Sequence, residues 1–170
     1  MPGRLVRFFP VVVFLSAAFS GCGGAPPASK SLADWLSVDA RTKTVTLQLH
    51  TEYNGAYAGF NFNGYGKGQV LVDVPQRWRV NVRCVNNSSS REHSCAIVNG
   101  PGGTLAFPGA ATRPLPPHGT ASFSFRPSSP GSYRIACLVP GHEGAGMWDV
   151  LDVTPRGRPS VVLLRRPTTS

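Results

Sequence analysis

The sequence is poor in several features, and each gap narrows what it can be. It has no internal repeat and no apolar run with the 3.6-residue period of a long helix, which leaves strands as the source of a core. Its longest apolar stretch, Phe8 to Phe19, is too short to span a bilayer comfortably. Methionine occurs only at Met1 and Met147, so the chain is not built to store metal on many thioethers. No His-x-His pair occurs anywhere. Acidic residues number eight, and the formal charge is +9. That charge lies mostly at the ends. Between residues 22 and 155 eleven Lys/Arg face eight Asp/Glu, a net of +3. A basic face interleaved with aromatics is missing, which argues against nucleic acid as a partner.

The ends differ in composition from the middle. Arg4 and Arg7 precede the apolar stretch, so residues 1–21 read as a lipoprotein-type secretory signal. The run Phe19-Ser20-Gly21-Cys22 resembles a bacterial lipobox, with Cys22 as the lipidated mature N-terminus; ordinary cleavage near Ala18–Gly21 is the alternative. Residues 22–31 are rich in Gly, Ala, Pro and Ser and form a flexible tether. Residues 156–170 carry Arg156, Arg158, Arg165 and Arg166 and read as a basic tail, able to touch an anionic surface but more simply a solvated end. The folded domain is residues 32–155. It lies outside the cytoplasm, on the membrane face or in the periplasm, where disulfides persist.

Ser31 to Leu36 makes one short helical turn capped by Ser31. Strand signals follow. Thr44 to Leu49 alternates with Val45, Leu47 and Leu49 on one face, and Gln69 to Val74 is stopped by Pro75. Trp78 to Val85 puts Trp78, Val80, Val82 and Cys84 on one side. His93 to Val98, Thr120 to Phe125, Ser132 to Val139 and Trp148 to Val153 complete the set, with a short strand around Phe60-Asn61-Phe62. Val161 to Leu164 is an apolar run that reads as an extra edge strand. Seven or eight short strands broken by turns predict an all-β, antiparallel Greek-key sandwich.

The chemistry concentrates in Cys137-Leu138-Val139-Pro140-Gly141-His142-Glu143-Gly144-Ala145-Gly146-Met147. A thiolate, an imidazole and a thioether recur every five residues in a Pro/Gly-rich loop. That soft set suits copper better than zinc, calcium or magnesium. It needs a second histidine. His50 ends a strand and His118 sits in a proline loop, and both read as surface residues. His93 sits at a strand-to-loop boundary like that of Cys137, and a sandwich can bring the two to one pole. Each residue alone has an ordinary structural explanation; the four in this order rarely do.

An upstream histidine followed by Cys-x4-His-x4-Met resembles a cupredoxin with a mononuclear blue-copper site. Phe60-Asn61-Phe62-Asn63-Gly64-Tyr65, the strand into Pro75, Trp78 to Asn86, His93-Ser94 and Cys137 to Trp148 together resemble the sulfocyanin family, with rusticyanin a relative. The resemblance spans residues 43–154. It implies one copper ion on His93, Cys137, His142 and axial Met147, with Ser94 bonding near the cysteine sulfur. Phe107 and Trp148 are candidates for an apolar surround, or simply for core packing. The implied function is single-electron transport in an extracytoplasmic respiratory chain, by a monomer docking to a cytochrome or terminal oxidase and tethered through a lipid anchor.

Ala136 and Leu138 flank the cysteine where a multicopper oxidase has histidines, the loop holds no second cysteine for a dinuclear centre, and Glu143 is expected to face solvent. A carrier rather than an enzyme is therefore expected. A copper storage or delivery protein and a metal-free extracellular sandwich are the rival functions. Cys84 and Cys95 both fall on inferred inward faces, either as a disulfide or as two buried thiols.

Overall fold

The computed structural model describes residues 31–164. A 3-10 turn, Leu32–Asp34, opens the fold, and the Ser31 hydroxyl accepts the Ala33 N–H as expected of its cap. Nine strands follow: β1 Leu36–Asp39, β2 Thr44–Thr51, β3 Val70–Pro75, β4 Arg79–Asn86, β5 Ala96–Val98, β6 Thr120–Phe125, β7 Gly131–Ala136, β8 Trp148–Thr154 and β9 Ser160–Leu163. They form two sheets, ordered β1-β2-β4-β6 and β5-β7-β8-β3-β9.

The sandwich is as expected, but its sheets are mixed rather than antiparallel. β2 runs parallel to β4, and β3 parallel to β8. The reason lies in the connections. Between β2 and β4 the chain crosses to the other sheet to make β3, and a crossover returns a strand in the same direction. Period-2 patterning reports which face of a strand is buried and says nothing about its direction.

Alternation builds the core. Val45, Leu47 and Leu49 of β2, with Val80, Val82 and Cys84 of β4, are buried and face inward from one sheet. Val70, Val72 and Val74 of β3, with Leu151 and Val153 of β8, oppose them from the other. The extra edge strand read at Val161 to Leu164 is β9, which pairs antiparallel with β3, so part of the stretch read as tail belongs to the sheet. β1 carried too short an apolar pattern to be read from sequence.

The glycine-rich stretch after β2 is not a strand at Phe60–Phe62. Phe62 makes only isolated bridges to Thr51 and Tyr65. Buried asparagines hold this stretch instead. Asn63 accepts the His50 N–H at 2.7 Å and donates to Gln48 O at 2.8 Å, while Asn61 accepts from Tyr53 and Gly64. These side chains supply the bonds a ladder would otherwise make.

Cys84 and Cys95 form a disulfide, with Cα atoms 5.9 Å apart. It ties β4 in one sheet to the residue just before β5 in the other. Closing so short a loop contributes about 2–3 kcal/mol. Cys95 follows His93 and Ser94 directly, so the bridge also anchors the segment that carries them.

Residues 1–30, with the expected signal, Cys22 and nearly all of the tether, lie outside the described residues, as do residues 165–170. Among the described residues no helix is long and apolar enough to cross a membrane.

Candidate metal centre

β2 and β4 both end at one pole, where Thr51 pairs with Asn86. There Asn86 organises the next loop. Its amide donates to Arg91 O, Leu115 O and Pro116 O, and its Oδ1 accepts from Thr51 and Ser88. The bridge between His93 and Leu115 continues that scaffold: Leu115 N donates to His93 O at 2.7 Å, and His93 N to Leu115 O at 3.2 Å. The strand expected from His93 begins only at Ala96, so His93 projects from braced loop backbone.

Cys137 immediately follows β7, and β8 begins at Trp148. The loop between them is closed by its own backbone. His142 N reaches Val139 O, Met147 N reaches His142 O at 3.0 Å, and Cys137 N reaches Met147 O at 3.3 Å. Gly141 and Gly146 take positive φ, 86° and 112°, which side chains rarely tolerate. The loop also leans on the glycine-rich stretch, whose Lys67 N donates to Gly146 O at 2.8 Å.

The structure brings His93, Cys137 and His142 together, their ligand atoms all within 4.8 Å of one another. His142 Nδ1 lies 3.4 Å from Cys137 Sγ, and His93 Nδ1 lies 4.0 Å from it. Met147 is fully buried in the adjoining core. His93 and Cys137 are buried too, and only His142 of the four is part-exposed. His50 and His118 remain apart from this cluster, as read from sequence.

Ser94 lies against the sulfur. Its N–H donates to Cys137 Sγ at 3.3 Å, and its hydroxyl, 3.7 Å from that sulfur, accepts the Leu138 N–H at 2.8 Å. The rings of the two other expected neighbours have partners of their own. Phe107 stacks on Phe125 and packs on Tyr133. Trp148 lies on the outer face of its sheet beneath the Arg134 guanidinium, 3.8 Å from the ring. Phe60 lies edge-on to His142, with ring centres 5.0 Å apart. Glu143 does not face free solvent either. It pairs with Arg134 at 2.8 Å and accepts the Gly102 N–H at 2.9 Å, closing one side of the loop.

Sequence reasoning missed Glu52. Its carboxylate lies 3.2 Å from His93 Nε2 and 3.1 Å from the Arg91 guanidinium. No motif marks it, because it stands alone at the end of β2. Its backbone is left-handed, φ 49° and ψ 44°, which turns it out of the strand direction.

Electrostatics prepares these residues for a cation. Burial lowers the His93 pKa, against the pull of Glu52, so the ring is neutral at pH 7. Burial, then the nearby His93 and Arg91, lowers that of His142. Burial raises the Cys137 thiol, opposed by the N–H groups of Ser94 and Val139 and by the Ser94 hydroxyl. Burial would raise Glu52, but hydrogen bonds from Ser88, His93 and Arg91 outweigh it and hold the group ionised. Two neutral imidazoles, a thiol and a thioether, with no carboxylate among them, form a soft set that fits copper.

Residues 31–106 match the Sulfocyanin (SoxE) domain, a span that includes His93 and Ser94 and stops before the cysteine loop. The sulfocyanin of Sulfolobus acidocaldarius is 28% identical over 125 residues, 64% of this chain and 63% of that protein, so the aligned part spans under two thirds of the relative. Among solved structures, reduced auracyanin from Roseiflexus castenholzii superposes with a TM-score of 0.49 at 21% identity, covering 65% of this chain and 97% of its own. Rusticyanin from Thiobacillus ferrooxidans gives 0.49 at 21% identity, covering 71% and 87%. Over residues 31–106, then, the chain is similar to the sulfocyanin domain, and a separate loop places Cys137 and His142 beside the one histidine, His93, that this match contains among the grouped residues.

Proposed function

We propose that the protein is a blue-copper electron carrier that holds one copper ion on His93, Cys137, His142 and Met147. The observation that carries this reading is the convergence of two Nδ1 atoms on one buried cysteine sulfur. When bound, copper supplies a one-electron couple in a His2Cys site with a weak methionine donor. The chain's own part is rigidity. Backbone bonds within the loop, the Ser94 bonds to the sulfur, and the disulfide beside Cys95 hold the donors in place, so little has to move between oxidation states.

Electrons enter and leave through His142, the part-exposed residue of the four. Leu138, Pro140, Gly141 and Ala145 of the same loop are exposed and small or apolar, and favour brief docking to redox partners such as a cytochrome or terminal oxidase. The chain is a carrier and not an enzyme. Ala136 and Leu138 flank Cys137, so no histidine relay leads to a second centre. The disulfide fits a place outside the cytoplasm. Anchoring through a lipid on Cys22 remains part of the proposal, as does action as a monomer.

Copper(II) uptake tests the reading. One ion per chain is expected, with an intense visible absorption from the thiolate bond. Because Cys137 is protonated at pH 7 and both histidines are neutral, uptake should release about one proton. The sign follows: copper affinity rises with pH until the thiol's raised pKa is passed. Uptake without proton release, measured in weakly buffered solution, contradicts the site.

A further inference from the structure

Glu52 lies outside the residues the family motif marks, yet three features aim it at His93. The first is distance: Oε2 lies 3.2 Å from His93 Nε2, the ring nitrogen that faces away from Cys137. The second is backbone. Glu52 holds φ 49°, a left-handed conformation that costs a non-glycine residue roughly 1–2 kcal/mol and persists only where its surroundings demand it. The third is bracing. Arg91 binds the other carboxylate oxygen at 3.1 Å and also donates to Ala58 O at 3.0 Å, fixing the carboxylate from behind. The Arg91 guanidinium then lies 5.0 Å from the centre of the Phe60 ring, which in turn meets His142 edge-on.

We infer that Glu52 is the positioning residue of this centre: its carboxylate accepts the His93 Nε2–H, fixes the tautomer that points the Nδ1 lone pair at the cysteine sulfur, and makes that ring the stronger donor. The inference rests on the copper reading of the site. A histidine that donates its second N–H to a carboxylate is held in one orientation and gains basicity. A more basic donor favours Cu(II) over Cu(I), so Glu52 lowers the reduction potential that the buried surroundings raise. Arg91 tempers this by sharing the carboxylate's charge, which makes the Glu52–Arg91 pair a setting device at the rim of the site.

Two variants and two readouts test it. Glu52→Gln keeps the size and one acceptor but loses the charge; Glu52→Ala loses both. In the copper-free protein, ¹⁵N NMR of the histidine rings reads the tautomer. His93 should carry its proton on Nε2 in the wild type and in E52Q, and become mixed in E52A. In the loaded protein, Cu(II) affinity should fall about 10–100-fold in both variants, the loss typical for an outer partner of a ligating histidine. Cu(I) affinity should fall less, so the potential shifts upward. A His93 tautomer unmoved in E52A, or a Cu(II) affinity unchanged in both variants, overturns the assignment. Should E52A fail to fold, the isosteric E52Q still reads the affinity and the wild type still reads the tautomer. If the wild type takes up no copper, the reading of the site fails, while the tautomer comparison still judges Glu52 by itself.

Discussion

Cys137→Ser is expected to abolish the visible absorption of the copper-loaded protein and to weaken copper binding more than any other single change. Losing an outer partner of a ligand costs about 10–100-fold, and losing the thiolate itself exceeds that. The oxygen of serine is a hard donor and stays protonated at neutral pH, so it replaces neither the charge nor the softness of the sulfur. The fold should survive. Cys137 is the free cysteine among the described residues, and the disulfide and core strands do not depend on its sulfur. Ser94 N–H would keep an acceptor in the new hydroxyl. Visible absorption and isothermal titration with copper check this. Retained absorption in the variant would mean that another residue supplies the thiolate bond, and the three-residue cluster would then be incidental.

The second large effect is expected at a residue with no chemistry. A Cβ added at Gly66 would lie 2.6 Å from Gly146 O and 3.3 Å from Phe60 O, both backbone atoms that cannot swing aside. Gly146 precedes Met147, and its carbonyl receives the Lys67 N–H. Gly66→Ala should therefore cost about 1–3 kcal/mol, the usual penalty of overpacking, and should displace the methionine end of the ligand loop. Thermal unfolding reads the first effect and the visible spectrum the second. Gly144→Ala, in the same loop, is the control. Its Cβ would meet only Gly141 O at 3.5 Å, an ordinary contact, so stability should stay within about 0.5 kcal/mol. Equal effects at both positions would show that the loop does not rest on the glycine-rich stretch in the way the packing indicates.

These two variants mark the limits of what the sequence discloses. The cluster of His93, Cys137 and His142 was legible because its chemistry is rare and its spacing ordered, and the Ser94 contact came with it through the family resemblance. Strand faces were legible wherever alternation was strict, as in β2 and β4. Direction was not, since a parallel and an antiparallel pair bury the same faces, and the parallel pairs β2–β4 and β3–β8 depend on crossovers between sheets. Phe60 to Phe62 looked like a strand by composition. Tertiary bonds from Asn61 and Asn63 overrode that preference.

Trp148 and Phe107 show the other side of this limit. Phe107 stacks on Phe125 and packs on Tyr133, while Trp148, next to Met147 in sequence, lies under Arg134 on the outer face of its sheet. Proximity along the chain does not decide which face of a sheet a ring occupies. Glu52 is the converse. It is 41 residues from His93, carries no motif, and becomes visible only when the ends of β2 and β4 meet at one pole. Glu143, next to a ligand in sequence, looked free and is instead tied to Arg134.

One buried sulfur between two imidazoles is what would make this chain a carrier of single electrons. Its most direct test is a reductive titration of the copper-loaded protein, followed by reoxidation, with the visible absorption as readout. The account predicts complete bleaching with one electron per chain and full return of the band on reoxidation, repeated over cycles without loss of copper. A band that needs more than one electron, or copper released on reduction, would contradict it.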